Sequence, residues 1–194
     1  MKKLLGLSIA ASLLTMSNAA MAQNVTGTVN ITGTVAPKCL VVPGAATSFT
    51  QNVALGELAQ ADGTLATDLA ARFLAAGGTG LNARVVCTTA APTIAIDATP
   101  ITTTAAADTG YANRIDFTAN VAVTTTASSA ATTFTNSSDS PALAATPIGG
   151  RLANNGNNNI AITATGFKTA SATDLLVAAN NYTGSIVVVI APGA

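Results

Sequence analysis

The sequence predicts an all-β domain, and three observations predict it. Most apolar residues after residue 23 recur with a period of two in short runs, the alternation of half-buried strands. The chain is dominated by Ala, Thr, Val, Asn, Gly and Ser, with aromatics at only 4%; Thr and Val favour strands, whereas Asn, Gly and Ser favour turns. Charged residues make up 8% of the chain against 49% hydrophobic, a balance that belongs to a packed core and not to a disordered polymer.

The first element is a targeting segment. "MKKLLGLSIAASLLTMSNAAMAQ" has a basic start at Lys2 and Lys3, an apolar run over 4–16 and small residues around Ala20, Met21 and Ala22. This is the layout of a secretory signal over 1–22, removed at an A-x-A site. The alternative is an uncleaved anchor, but the run is too short to span a bilayer. The mature chain then starts at Gln23 and has 172 residues (the 194 less the 22), enough for one domain with its own core. The short basic start points to bacterial export, so Asn-x-Ser/Thr triplets such as those at Asn24, Asn136 and Asn181 are not expected to carry glycans.

"QNVTGTVNITGTVAPKC" follows. Val25, Gly27, Val29, Ile31, Gly33 and Val35 fall on one face and Thr26, Thr28, Asn30, Thr32 and Thr34 on the other, which predicts a long half-buried strand. It has no hairpin partner beside it in sequence. "LVVPG" continues it past Cys39 and stops at Pro43 and Gly44. Between 48 and 80 lies the one region with helical character: Leu65, Leu69 and Phe73 are four apart, with Asp68 early and Arg72 late. We expect one or two helical turns within a long connection, ended by Gly77, Gly78 and Gly80.

Strands then return. "LNARVVCTT" alternates through Leu81, Ala83, Val85 and Cys87, and "PTIAIDA" places Ile94, Ile96 and Ala98 on one face. "YANRIDFTANVAVTT" gives a long strand with one polar break. "ASSAATTFTNSSDSPALAATP" reads as loop around a short apolar stretch, "RLANNGNNN" as a turn and "IAITATGF" as a further strand. The chain closes on "NNYTGSIVVVIAPGA"; 186–190 is apolar on both faces and is expected to be buried on both sides. Six or seven strands, turns between them and a cysteine pair fit an immunoglobulin-like sandwich best, with a β-barrel as the structural alternative.

Cys39 and Cys87 are the only cysteines. In an oxidising compartment such a pair reads as a disulfide, and closing a loop of 48 residues restricts the unfolded chain by roughly 4 kcal/mol. Two free thiols, or a metal site, are the alternatives. The metal site is the poorer one, because no histidine is present to complete the usual ligand set.

Charge and chemistry narrow the function. Without Lys2 and Lys3, six basic residues (Lys38, Arg72, Arg84, Arg114, Arg151, Lys168) face eight acidic ones. No basic patch exists for nucleic acid or for an anionic membrane surface. Asp108-Thr109-Gly110 has the form of an aspartic-protease triplet, but such enzymes need two aspartates sharing a proton, and no second copy occurs; a plain turn is the simpler reading. With no histidine, Ser-His and Cys-His pairs are excluded. Neither Lys38 nor Lys168 has a Ser-x-x-Lys context. Asp97, Asp116 and Asp174 are scattered singly, unlike calcium ligands. The expectation is a non-enzymatic protein without cofactor or metal.

The arrangement resembles a family. A signal peptide precedes an extension with Gly27, Val29, Ile31, Gly33 and Val35, then Cys39; a second cysteine closes "ARVVC"; an alternating strand after a tyrosine-containing turn ends the chain. This layout resembles the pilin subunits of Gram-negative chaperone–usher pili, nearest the archaic branch related to spore coat protein U, where the mature chain also opens Val-Thr-Gly-x-Val. It departs from that pattern at its end, "IAPGA", where an aromatic residue is usual.

The resemblance implies an incomplete immunoglobulin-like β-sandwich completed by donor-strand exchange. Residues 23–36 would be the donor-strand extension and 37–194 the pilin domain. Val25, Gly27, Val29 and Ile31 would face the groove of a neighbouring subunit, and Ile186, Val188 and Ile190 would form a wall of the chain's own groove. The implied partners are further pilin subunits, a periplasmic chaperone and an outer-membrane usher, with no membrane insertion. The implied location is a surface fimbrium, serving adhesion or biofilm formation, and the length suits a shaft subunit. The competing expectation is a secreted monomeric coat or surface protein with a complete sandwich.

Overall fold

The computed structural model describes residues 26–44, 46–153 and 156–193. The signal segment 1–22, Asn24 and the donor position Val25 lie outside the described residues. The chain divides into two units, residues 1–34 and 35–194, taken separately below.

In the first unit, residues 26–34 form neither helix nor strand. The strand expected from their alternation is not formed, because a strand is held by a ladder to a neighbour and none of the described sheets includes these residues. Val29 and Ile31 are 85% and 92% exposed.

The second unit is mostly β-sheet. β1 (Cys39–Val41) pairs antiparallel with β3 (Val85–Cys87), setting Cys39 directly opposite Cys87, and the two are joined by a disulfide. The largest sheet is built on β4 (Thr93–Thr102) and β6 (Arg114–Thr125), which meet only where Ile101 and Thr102 face Ile115 and Arg114. Beyond that corner each acquires its own neighbours. β7 (Ser128–Ser137) and β9 (Ile160–Lys168) flank β6 over the same residues, making β6 central, and β9 passes on to β2 (Asn82–Ala83). β4 carries β8 (Leu143–Pro147) on one edge and β11 (Thr183–Ala191) on the other. A short parallel pair, β5 (Tyr111–Ala112) with β10 (Leu175–Leu176), completes the set.

The period-two pattern has its physical outcome here. Ile94, Ile96 and Ala98 of β4, Phe117, Ala119, Val121 and Val123 of β6, and Ile160, Ile162 and Ala164 of β9 enter one core, while the alternate residues face outward.

The connection before β2 holds a helix, α1 (Leu69–Gly77), running into a 3-10 turn (Gly78–Leu81). It is longer than the one or two turns expected, because Leu69 and Phe73 bury one face and Asp68 pairs with Arg72 at 2.8 Å, the i, i+4 spacing. Gly78 ends it with φ of +50°, a conformation that glycine adopts most readily.

Two further expectations are corrected. The stretch taken as loop is β7, ten residues long. It shows almost no apolar alternation because 128–133 are exposed on both faces; the backbone ladder to β6, from Thr118–Ser137 to Thr125–Ser128, holds it. And 186–190 is not buried on both sides: Val187 and Val189 are 49% and 52% exposed, on the face of the sheet where Asp97 and Thr99 of the neighbouring β4 are exposed too.

Two buried asparagines close gaps that the ladders leave. Asn136 accepts a hydrogen bond from the Ala98 N–H (2.8 Å) and donates to the Pro141 carbonyl (2.8 Å), so its side chain has no room for a glycan. Asn159 is 3% exposed; its Oδ1 accepts from the Val85 N–H (2.8 Å) and its Nδ2 donates to the carbonyls of Val85 (2.7 Å) and Ala153 (2.8 Å). Asn159→Ala strands three buried backbone groups, so it is expected to cost about 3 kcal/mol, read as a lowered urea midpoint at unchanged slope. A loss under about 1 kcal/mol would mean that water replaces the amide.

Candidate functional site

β11 is assembled from β-branched residues, Ile186 to Ile190, behind a Thr-Gly-Ser turn-in, a composition suited to a pleated surface. Gly184 lets the strand close on β4: a Cβ there would sit 2.8 Å from Ile101 Cγ1 and 3.0 Å from its Cα. The register then sets Ile186 opposite Ala98, Val188 opposite Ile96 and Ile190 opposite Ile94. The β4 residues are buried, whereas Ile186, Val188 and Ile190 are half-buried. The reason is topological, since β4 has neighbours on both edges and β11 on one. In an antiparallel pair every second residue of the edge strand points both its N–H and C=O away from its partner. Among the described residues nothing pairs with that side of β11.

Beside this free edge lies a groove of about 1390 Å³. Ile186, Val188 and Ile190 line it together with Phe73, Leu81, Val85, Phe117, Ile162 and Phe167 from the core side. Phe117 and Phe167 stack with centroids 5.5 Å apart. Further lining comes from β1, from residues 47–59 and from the stretch after 176 that leads into β11. Val41, Phe49, Val53, Leu55, Phe167, Leu176, Tyr182, Ile186, Val188 and Ile190 all pack on the core while staying only partly buried. So many half-covered apolar side chains around one depression make it a candidate binding surface.

The groove is nearly free of charge. Glu57 and Tyr182 are the only ionisable side chains in its lining once the disulfide is set aside. Burial raises the Tyr182 phenol above its ordinary pKa, and its hydroxyl lies 2.9 Å from the Val177 carbonyl and 3.3 Å from that of Ala112. The tyrosine therefore braces the chain leading into β11.

Of the residues singled out from sequence, the structure joins Cys39 to Cys87 and places Ile186, Val188 and Ile190 on the groove. Gly27, Val29 and Ile31 stand in the exposed segment of the first unit. Sequence reasoning missed Phe49, Val53 and Leu55, although with Gln51 they keep a period of two that could have marked a strand-like stretch. Asp108-Thr109-Gly110 is a turn: the Thr109 N–H donates to Asp108 Oδ1 (2.7 Å) and the Tyr111 N–H to the Asp108 carbonyl (2.9 Å). No group of three or more metal-ligating side chains occurs among the described residues, nor does a helix long and apolar enough to cross a membrane.

The class of protein that fold and site define is an all-β, disulfide-linked domain with an open apolar groove beside its last strand. Comparison with protein-family models, with curated proteins and with solved structures found no match.

Proposed function

We propose that this chain is the repeating structural subunit of a surface fibre, a pilin that donates residues 23–36 to the groove of the next copy. The observation that carries the reading is the free edge of β11 beside a nearly charge-free apolar groove. The complementary piece is in the same sequence: residues 25–35 alternate apolar and polar over eleven residues, enough to run the nine-residue length of β11. In this reading the strands on β4 and those on β6 are two layers of an immunoglobulin-like sandwich lacking its last strand, and the donor completes it by strand addition.

Burying Val25, Val29 and Ile31 contributes roughly 1.5–3 kcal/mol each, to which a main-chain ladder adds, against the entropy of joining two molecules. Gly27 serves where the acceptor backbone comes closest. Donor and acceptor surfaces differ, so the contact is head-to-tail, does not close, and builds a fibre. Before assembly an open groove of this kind is an aggregation hazard, which a periplasmic chaperone would cover until an outer-membrane usher passes the subunit to the growing fibre. Adhesion and biofilm formation are the roles such a fibre serves.

Deletion of 23–36 tests the reading. The full mature chain is expected to form SDS-resistant ladders, and the truncated one to remain folded but unpolymerised. If both are folded monomers, the chain is instead a secreted monomeric surface protein.

A further inference from the structure

A second strand edge stands open, away from the groove. Where β4 leaves β6 beyond the Ile101–Ile115 pair, β7 takes its place along β6. β7 pairs with β6 alone, so its far edge has no partner among the described residues. No residue of β7 lines the groove, and the edge stays open whether or not the groove is filled. The ladder tells which groups lie on it. The Ser138 N–H donates to the Phe117 carbonyl (2.8 Å), and every second residue back from it, Asn136, Phe134 and Thr132, turns its backbone groups to β6. Thr133, Thr135 and Ser137 turn theirs away, and the Ser137 carbonyl is taken by the Ser140 N–H (3.0 Å). Thr133 and Thr135 present both groups at the edge, and their side chains are exposed.

Strand edges are ordinarily blunted by charge, proline or a bulge. β8 ends in Pro147, and its Ala144 carbonyl is taken by the Thr146 hydroxyl (2.8 Å). β7 has neither a charged residue nor a proline. Its one irregularity of pairing falls at the hairpin end, between Val123 and Thr125 of β6. From Thr132 to Ser137 the register is unbroken.

We infer that β7 joins two copies of this chain edge to edge, antiparallel about a two-fold axis at Phe134. A bare edge accepts main-chain bonds from any extended strand, so side chains choose the partner. In this register Thr133 of each copy lies opposite Thr135 of the other, and the two pairs exchange about four main-chain hydrogen bonds. Phe134, half-buried against the core, meets its own copy across the axis as an aromatic cross-strand pair. A two-fold contact sets the same patch against itself, so a charge near the axis would face its like. β7 carries none. Asp139, paired with Lys168 at 2.8 Å, comes opposite Ser129 of the other copy, and no carboxylate meets a carboxylate. The inference holds independently of what fills the groove.

Sedimentation velocity on the mature chain carrying Ile31→Asp, a change that leaves β7 untouched, decides it. A dimer is expected that grows with concentration up to about 1 mM, the weak association proper to so small a contact. Thr133→Lys with Thr135→Lys sets lysine against lysine at both pairs and is expected to weaken the dimer at least about tenfold. The thermal midpoint of the subunit should not move, because both side chains lie in water. Thr133→Glu with Thr135→Glu should act alike, and an equimolar mixture of the lysine and glutamate chains should dimerise again, a rescue that a merely weakened fold would not give. Monomers at every concentration, association that the lysines leave unchanged, or a mixture that stays monomeric would each overturn the inference.

Discussion

Ile31→Asp is expected to abolish fibre formation while leaving the subunit as stable as before. Ile31 is 92% exposed, so in the subunit the new carboxylate stays in water and changes stability by less than about 0.5 kcal/mol. In the groove of a neighbour it would face an apolar lining that offers no basic side chain. The loss of isoleucine burial, roughly 1.5–3 kcal/mol, adds to the desolvation of an unpaired charge, several kcal/mol more. A combined loss of at least about 4 kcal/mol weakens each junction about a thousandfold. Ile31→Leu keeps the apolar volume and costs under about 1.5 kcal/mol, so its ladders should persist. The measurements are SDS-resistant ladders for the fibre and a thermal midpoint for the subunit. An Ile31→Asp chain that polymerises like its parent removes Ile31 from the junction and overturns the donor assignment.

Replacing both cysteines by serine is the second large effect, and it falls on the fold. Cys39 and Cys87 are 48 residues apart, and opening that loop returns about 4 kcal/mol of entropy to the unfolded chain, out of a typical total of 5–15 kcal/mol. Little else secures β1. It has three residues and among the named strands pairs with β3 alone, apart from a single bridge from Val41 to Ala46, with the Thr88 hydroxyl accepting from the Lys38 N–H at 2.9 Å. Because Cys39, Leu40 and Val41 also line the groove, the loss should reach the fibre junction as well as the urea midpoint. A drop smaller than about 1 kcal/mol would mean that the β1–β3 pairing stands without the bond.

The core strands were legible because their residues sit with one face in and one face out. "PTIAIDA", "RIDFTANVAV" and "IAITA" each announce the buried face by alternation, and Ile94, Phe117 and Ile162 are where that alternation places them. β7 was not legible, since 128–133 have no buried face at all and are held through the backbone. The helix was under-read because its anchor, Phe73 against the core, is a tertiary contact. Ile186, Val188 and Ile190, which were singled out only through the family resemblance, line the groove; Phe49, Val53 and Leu55, which line it too, lie in a stretch whose strand-like period has no ladder to confirm it.

The sequence by itself determined the all-β class, the cysteine pair, the near absence of charge and the inward face of most core strands. Only the tertiary structure decided that β11 lies at an edge, that the sheet face carrying Val187 and Val189 is left to solvent, and that a groove opens beside that edge. The reason is that side chains record which face of a strand is covered, whereas hydrogen-bonding partners are chosen by backbone groups that every residue other than proline carries alike.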